Sequence, residues 1–214
     1  MSTAQAQLYF TEEQYLKIER ESEERHEYID GRIYAMAGES DEHGQITTNL
    51  QGRLFMQLLD SDCTVRHENT KVRSGPEPKS QDRPEGFYSY PDLLVVCGKR
   101  QFHDEYRDVL LNPKVIIEVL SKSTEAFDRG EKFMRYRTWL PSLTDYILVA
   151  QDKPLIEHYH RQAADAWVLV TVMGLAAQLT IQSIGCRLQL REVYDGVTFP
   201  TDNLPPLEAD LPEA

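Results

Sequence analysis

Glu118 occupies an unfavourable place for a carboxylate. In "KVIIEVLSKST", Lys114 to Thr124, it is surrounded by Val115, Ile116, Ile117, Val119 and Leu120, a run that reads as a strand covered on both faces. Ionised glutamate is almost never fully buried without a partner, because taking its charge out of water is costly. A second acid, Asp92, directly follows Pro91 and opens another apolar run, "PDLLVVCG". With the two strands as neighbours, both carboxylates would enter one cleft at a strand end, beside the backbone carbonyl of Val119. Hard oxygen ligands of this kind suit Mg²⁺ or Mn²⁺, which bind through one or two carboxylates plus water and substrate phosphate.

The segment after Glu118 adds a cation. Ser123 or Thr124 can start a helix running to about Trp139, with Pro141 beyond its end. Asp128, Lys132 and Tyr136 are spaced four apart and share one face. That spacing lets Lys132 aim at a site beside Glu118, to orient an attacking water or to stabilise charge on a phosphate. Ser121, Ser123 and Thr124 stand at the helix N-terminus, where free amides and the helix dipole favour a bound phosphate. Each residue also has an ordinary reading: Asp92 as a turn cap, and Asp128 with Lys132 as an exposed salt bridge.

These residues need a scaffold, and the rest of the chain reads as mixed α/β with a central sheet. Thr11-Glu12-Glu13-Gln14 is a capping-box pattern ahead of a polar first helix. "HEYIDGRIYAM" holds two short strands around Asp30-Gly31, a two-residue hairpin turn. Ser40 caps a second helix in which Ile46, Leu50, Leu54 and Leu58 line one face. Cys63 to Arg73 reads as one strand, Gly75 to Tyr90 as a loop, and Lys99 to Asn112 as a polar connection. "DYILVA", "LIEHYHR", "WVLVTVM" and "LTIQSIGCRLQL" continue as strands. One domain over residues 1–199 is expected, with 200–214 as a disordered, acidic, Pro-rich tail.

Composition narrows the partners. Lys and Arg number 23 against 35 Asp and Glu, a net charge of −12, which argues against a broad grip on DNA or anionic membrane but allows a local basic groove. No segment approaches the roughly 20 apolar residues of a bilayer span, and the first residues lack the features of a signal peptide. Cys63, Cys97 and Cys186 form no CxxC pair. Their odd count fits a reduced cytoplasm, with neither a disulfide framework nor a structural zinc site.

"YPDLLVVCG", "IIEVLSKST", "DRGEKFMRYR", "PSLTDYILVAQD" and "IEHYHR", with "EYIDGRIYAMAG", His43 and "LREVYDGV", resemble the Uma2 family over about Tyr28 to Val197. The resemblance implies the restriction-endonuclease-like PD-(D/E)XK fold, a central mixed sheet flanked by helices, here with an extra N-terminal helix and hairpin and C-terminal strands. It implies a Mg²⁺- or Mn²⁺-dependent endonuclease acting on DNA. Pro91-Asp92 takes the place of the "PD" and Glu118 that of the "(D/E)". Leu120 stands where the lysine of the motif is expected, and the resemblance moves that role to Lys132 on the following helix. Glu27 and His43 match family positions near the cleft, Glu27 as an outer metal or water ligand and His43 as a contact to phosphate or carboxylate. A homodimer would suit the cutting of two strands.

Other readings remain open on the sequence. A nuclease fold used as a binding or regulatory module, linked to mobile DNA, agrees with the net charge and with Leu120. A carboxylate-pair glycoside hydrolase would leave Lys132 and Pro91-Asp92 without a role. His158 and His160 share one face of a strand, with no third ligand apparent beside them, and read as a sheet-surface pair. Met134, Tyr136 and Trp139 read as packing residues.

Overall fold

The apolar run around Glu118 becomes the most deeply covered strand of a six-stranded sheet. The structure, a computed structural model, describes residues 9–76, 85–163 and 166–200. That sheet contains β3 (Cys63–His67), β6 (Leu93–Cys97), β8 (Val115–Leu120), β9 (Asp145–Ala150), β10 (Leu155–Ala163) and β11 (Ala166–Met173), in the order β11-β10-β9-β8-β6-β3. β8 runs antiparallel to β6 and parallel to β9, so the sheet is mixed. Val115, Ile117 and Val119 face one core and Ile116 and Leu120 the other, which accounts for the continuous apolar pattern.

The first core is closed by α2 (Asp41–Leu58), whose Ile46, Leu50, Leu54 and Leu58 pack on the sheet, and by a hairpin of β12 (Gln178–Ile181) and β13 (Cys186–Gln189) followed by α5 (Leu190–Val193). Ser40 caps α2 through its hydroxyl. The second core lies between the sheet and the helical segment after β8, made of α3 (Glu125–Phe127), a π-helical turn (Asp128–Lys132) and α4 (Phe133–Trp139). Val72 and Phe87 enter this core from a second, five-stranded sheet, ordered β2-β1-β5-β4-β7. Its strands are β1 (His26–Ile29), β2 (Arg32–Ala35), β4 (Lys71–Ser74), β5 (Phe87–Ser89) and β7 (Val109–Leu110), and α1 (Glu12–Glu21) adds Tyr15 and Leu16 to a third cluster on it.

The Thr11 capping box forms as the sequence predicts, with both reciprocal hydrogen bonds. Asp30 and Gly31 both take positive φ, 46° and 87°, the backbone that a tight hairpin turn requires. Elsewhere the second sheet was hidden. Cys63 to Arg73 is two strands in different sheets, separated by a turn in which the Thr70 amide donates to the His67 carbonyl. β5 lies inside the expected loop and β7 inside the expected connection. Strands of two or three residues are too short to show a period. Met134 and Trp139, read as packing residues, are exposed, whereas Tyr136 is fully buried.

Cys63 and Cys97 correct a further expectation, because they are joined in a disulfide. They lie directly opposite each other in the β3–β6 ladder, and a separation of 34 residues in sequence gives no hint of that register. The tail expected at 200–214 lies outside the described residues from Thr201 onward.

Candidate active site

Asp92 and Glu118 come together through strand register. Leu93 pairs with Ile117 across β6 and β8, which leaves Asp92 one step beyond the ladder and level with Glu118. The Val119 amide donates to Asp92 Oδ2 at 2.6 Å, and His43 Nε2 stands 3.2 Å from the same oxygen. His43 reaches it from the first turn of α2, where its amide donates to the Ser40 hydroxyl and its Nδ1 lies 3.0 Å from Glu39 Oε2. Burial opposes a charge on the imidazole, but the Asp92 and Glu39 carboxylates outweigh it and raise the His43 pKa above its ordinary value.

Lys132 arrives from the opposite side. Its Nζ lies 3.0 Å from Glu118 Oε1, 3.3 Å from Asp128 Oδ1 and 3.8 Å from Glu27 Oε1. Lys132 and Asp128 are 5% and 3% exposed, so this is a buried pair, unlike the solvated one that i,i+4 spacing usually means. The π-helical turn that carries both interrupts the helix expected from Ser123 to Trp139, and such turns recur at functional sites. Tyr146 anchors it by donating its hydroxyl hydrogen to the Asp128 carbonyl at 2.9 Å. Tyr136 pairs its hydroxyl with Ser89 Oγ at 2.7 Å. Ser89 was beyond the reach of pattern reading because β5 itself was.

Burial drives the Glu118 pKa well above the carboxylate range; Lys132 opposes this, while Asp128 and Asp92 add to it. Burial also works against the Lys132 charge, yet Glu118, with Tyr136, Glu27 and Asp128 behind it, holds that pKa well above the usual lysine value. The ammonium therefore stays charged and the acids compete for it. Carboxyl groups of Glu27, Asp92, Glu118 and Asp128 thus gather around one lysine and one histidine.

Asp92 and Glu118 supply hard oxygen donors of the kind that a divalent cation takes. Glu118 Oε1 is buried, and apart from the Lys132 ammonium at 3.0 Å no partner is described for it. The bonds described for Asp92 all fall on Oδ2. Two acids on neighbouring strands thus have oxygen capacity to spare, beside the backbone of Val119. Glu27 Oε1 accepts the Tyr90 amide at 3.5 Å and borders a cavity of about 650 Å³ lined also by Tyr9, Arg32, Tyr34, Thr124 and Phe127.

Two of the amides expected to be free at the helix N-terminus are engaged within the chain. Thr124 and Glu125 donate their amides to the Ser121 carbonyl at 3.2 and 2.9 Å, and the hydroxyls of Ser121, Ser123 and Thr124 bond among themselves. A turn between β8 and α3 consumes those donors before a phosphate could.

A family model described as Uma2, "Putative restriction endonuclease", matches residues 12–191. The chain belongs to the Uma2 family. Two uncharacterized proteins of Synechocystis sp. are similar to it: slr1290 is 35% identical over 188 residues, covering 87% of this chain and 92% of that protein, and sll1609 is 32% identical over 169 residues, covering 79% and 90%. A crystal structure from Anabaena variabilis, described as a putative nuclease belonging to DUF820, superposes with a TM-score of 0.66 at 16% identity over 86% of this chain and 97% of that one. The Uma2 chain thus has the restriction-endonuclease-like fold, a central mixed sheet flanked by helices. No helix among the described residues is long and apolar enough to cross a membrane.

His158 and His160 correct the remaining expectation. They do not stand as a pair without a third ligand, because Asp145 reaches both from the neighbouring strand. Asp145 opens β9 in the sequence, and only the β9–β10 register reveals its proximity.

Proposed function

We propose that this Uma2 protein is a divalent-metal-dependent endonuclease that hydrolyses DNA phosphodiester bonds. The observation that carries the reading is the 3.0 Å approach of Lys132 to Glu118: a lysine from the next helical segment reaches the acid, while two positions along the strand there is only Leu120. Asp92, Glu118 and the Val119 carbonyl would hold Mg²⁺ or Mn²⁺, which when bound supplies Lewis-acid activation of water and neutralises phosphate charge. Lys132, kept charged by its acidic neighbours, orients the nucleophile and donates to oxygen on which negative charge develops. His43 holds Asp92 Oδ2 and leaves Oδ1 for the metal. Glu27 positions water at the outer edge. A homodimer serves where both strands of a duplex are cut.

Glu118→Gln removes the charge with almost no change of volume and should abolish metal-dependent cleavage; a variant that cuts as fast as wild type overturns the assignment. The second reading, a nuclease fold retained as a DNA-linked binding module, rests on the net charge of −12, which weakens any broad hold on a polyanion.

A further inference from the structure

A second cluster with ligand chemistry lies on the other side of the sheet. Asp145 is fully buried. His158 Nε2 stands 2.6 Å and His160 Nδ1 2.9 Å from its Oδ1. Its other oxygen, Oδ2, accepts from the Ser183 hydroxyl and, at 2.7 Å, from the Thr144 hydroxyl. The carboxylate is thus divided: two hydroxyls fix Oδ2, and two imidazole nitrogens converge on Oδ1.

This cluster is separate from the candidate active site. Asp145 pairs with Val115, whereas Glu118 pairs with Leu148, a separation of three residues or about 10 Å along the strands. Asp145 shares a face with Ile147 and Val149, which enter the core under α2, while Glu118 shares the opposite face with Ile116 and Leu120. The two sites therefore lie on opposite faces as well as at different levels of the sheet.

We propose that Asp145, His158 and His160 form a binding site for a divalent transition metal of the zinc class. The three donor atoms all lie within 4.8 Å of one another, and tetrahedral zinc with ligands at about 2.0–2.2 Å holds them roughly 3.4 Å apart, so modest side-chain adjustments accommodate the ion. Two imidazoles and one carboxylate are a donor set that zinc uses when its fourth position is left to water or another ligand. Ser183 and Thr144 provide the hydrogen bonds that orient a ligating carboxylate. His160 is 34% exposed and opens the entry path that such a site needs. An ion there ties β9, β10 and the turn Gln182–Ile184 together.

The test uses the full chain carrying Asp92→Asn and Glu118→Gln, which blank the other candidate site, so its outcome does not depend on the nuclease reading. After treatment with a chelator, the protein is dialysed against Zn²⁺ or Co²⁺. Bound metal per chain is counted by atomic emission, Co²⁺ coordination is read from visible absorption, and folding is followed by circular dichroism. The proposal predicts one ion per chain with a four-coordinate Co²⁺ spectrum. Adding His160→Gln, at a partly exposed position that should still fold, reduces affinity by about 100-fold or more. Ser183→Ala, which removes an orienting contact, reduces it by about 10- to 100-fold. A folded parent chain that takes up no zinc, or a His160→Gln chain that binds as tightly as its parent, overturns the proposal and leaves the cluster as a hydrogen-bonded pin of the sheet.

Discussion

Lys132→Met nearly preserves the length of the side chain and removes the charge that Glu118 and Asp128 share. With Nζ 3.0 and 3.3 Å from those carboxylates, each attraction is roughly 5 kcal/mol at an effective dielectric of about 20. Desolvation of the buried ammonium offsets much of the total, so the expected net loss is the roughly 3–5 kcal/mol seen when one partner of a buried pair is removed. Against a typical total of about 5–15 kcal/mol, the variant should fold and unfold at markedly lower urea. Adding Glu118→Gln removes an acid that no longer has its counter-charge, and the double variant should be more stable than the two single losses sum to, by roughly 1–3 kcal/mol. The pH dependence has a definite sign. Burial holds the folded-state pKa of Glu118 above its unfolded value, so the stability tied to its protonated form is present below the ordinary glutamate range and lost as pH rises through the raised value. Without Lys132 to oppose that shift, the Glu118 pKa of Lys132→Met lies higher still, so its deficit should grow as pH rises past the raised wild-type value. Urea titrations of the four proteins at several pH values measure both effects. Additive single losses, or a deficit independent of pH, would refute the coupled charge cluster.

Other outcomes follow from the same geometry. Residues 118 and 120 share a face of β8, so Leu120→Lys placed in Lys132→Met should recover part of the plasmid-cleavage rate, which falls about 10²–10³-fold when a charge-stabilising donor is lost; no recovery by a folded double variant would count against the displaced-lysine account. Asp108 is pushed up by burial but brought below its ordinary pKa by Arg20 and Lys71. Its contribution is present above the ordinary aspartate range, about pH 4, and is lost as pH falls through the lowered value, so Asp108→Asn should show shallower acid destabilisation than wild type by circular dichroism. Leu50→Ala, in the core beneath α2, should cost about 2–5 kcal/mol of stability in urea titration.

The first core was legible because its signals are local. The four-residue spacing of Ile46, Leu50, Leu54 and Leu58 declares the buried face of α2, and the uninterrupted apolar residues of β8 declare a strand covered twice. Glu118 was visible against that background as the one expensive residue, and Asp92 as its counterpart at a strand start. What the pattern could not carry was register between distant segments. β5 and β7 are too short to have a period, so the second sheet and Ser89 went unseen. Cys63 with Cys97, and Asp145 with the two histidines, meet only through cross-strand pairing. The Thr124 and Glu125 amides looked free because a helix was expected to start there, while a turn on Ser121 engages both.

The most direct measurement is the initial rate at which the purified protein nicks or linearises supercoiled DNA, and cuts single-stranded DNA, in Mn²⁺, in Mg²⁺ and in excess EDTA. The account predicts cleavage with a divalent cation and none with EDTA. Cleavage that persists unchanged in EDTA, or a folded protein that cuts neither substrate with either cation, would contradict it.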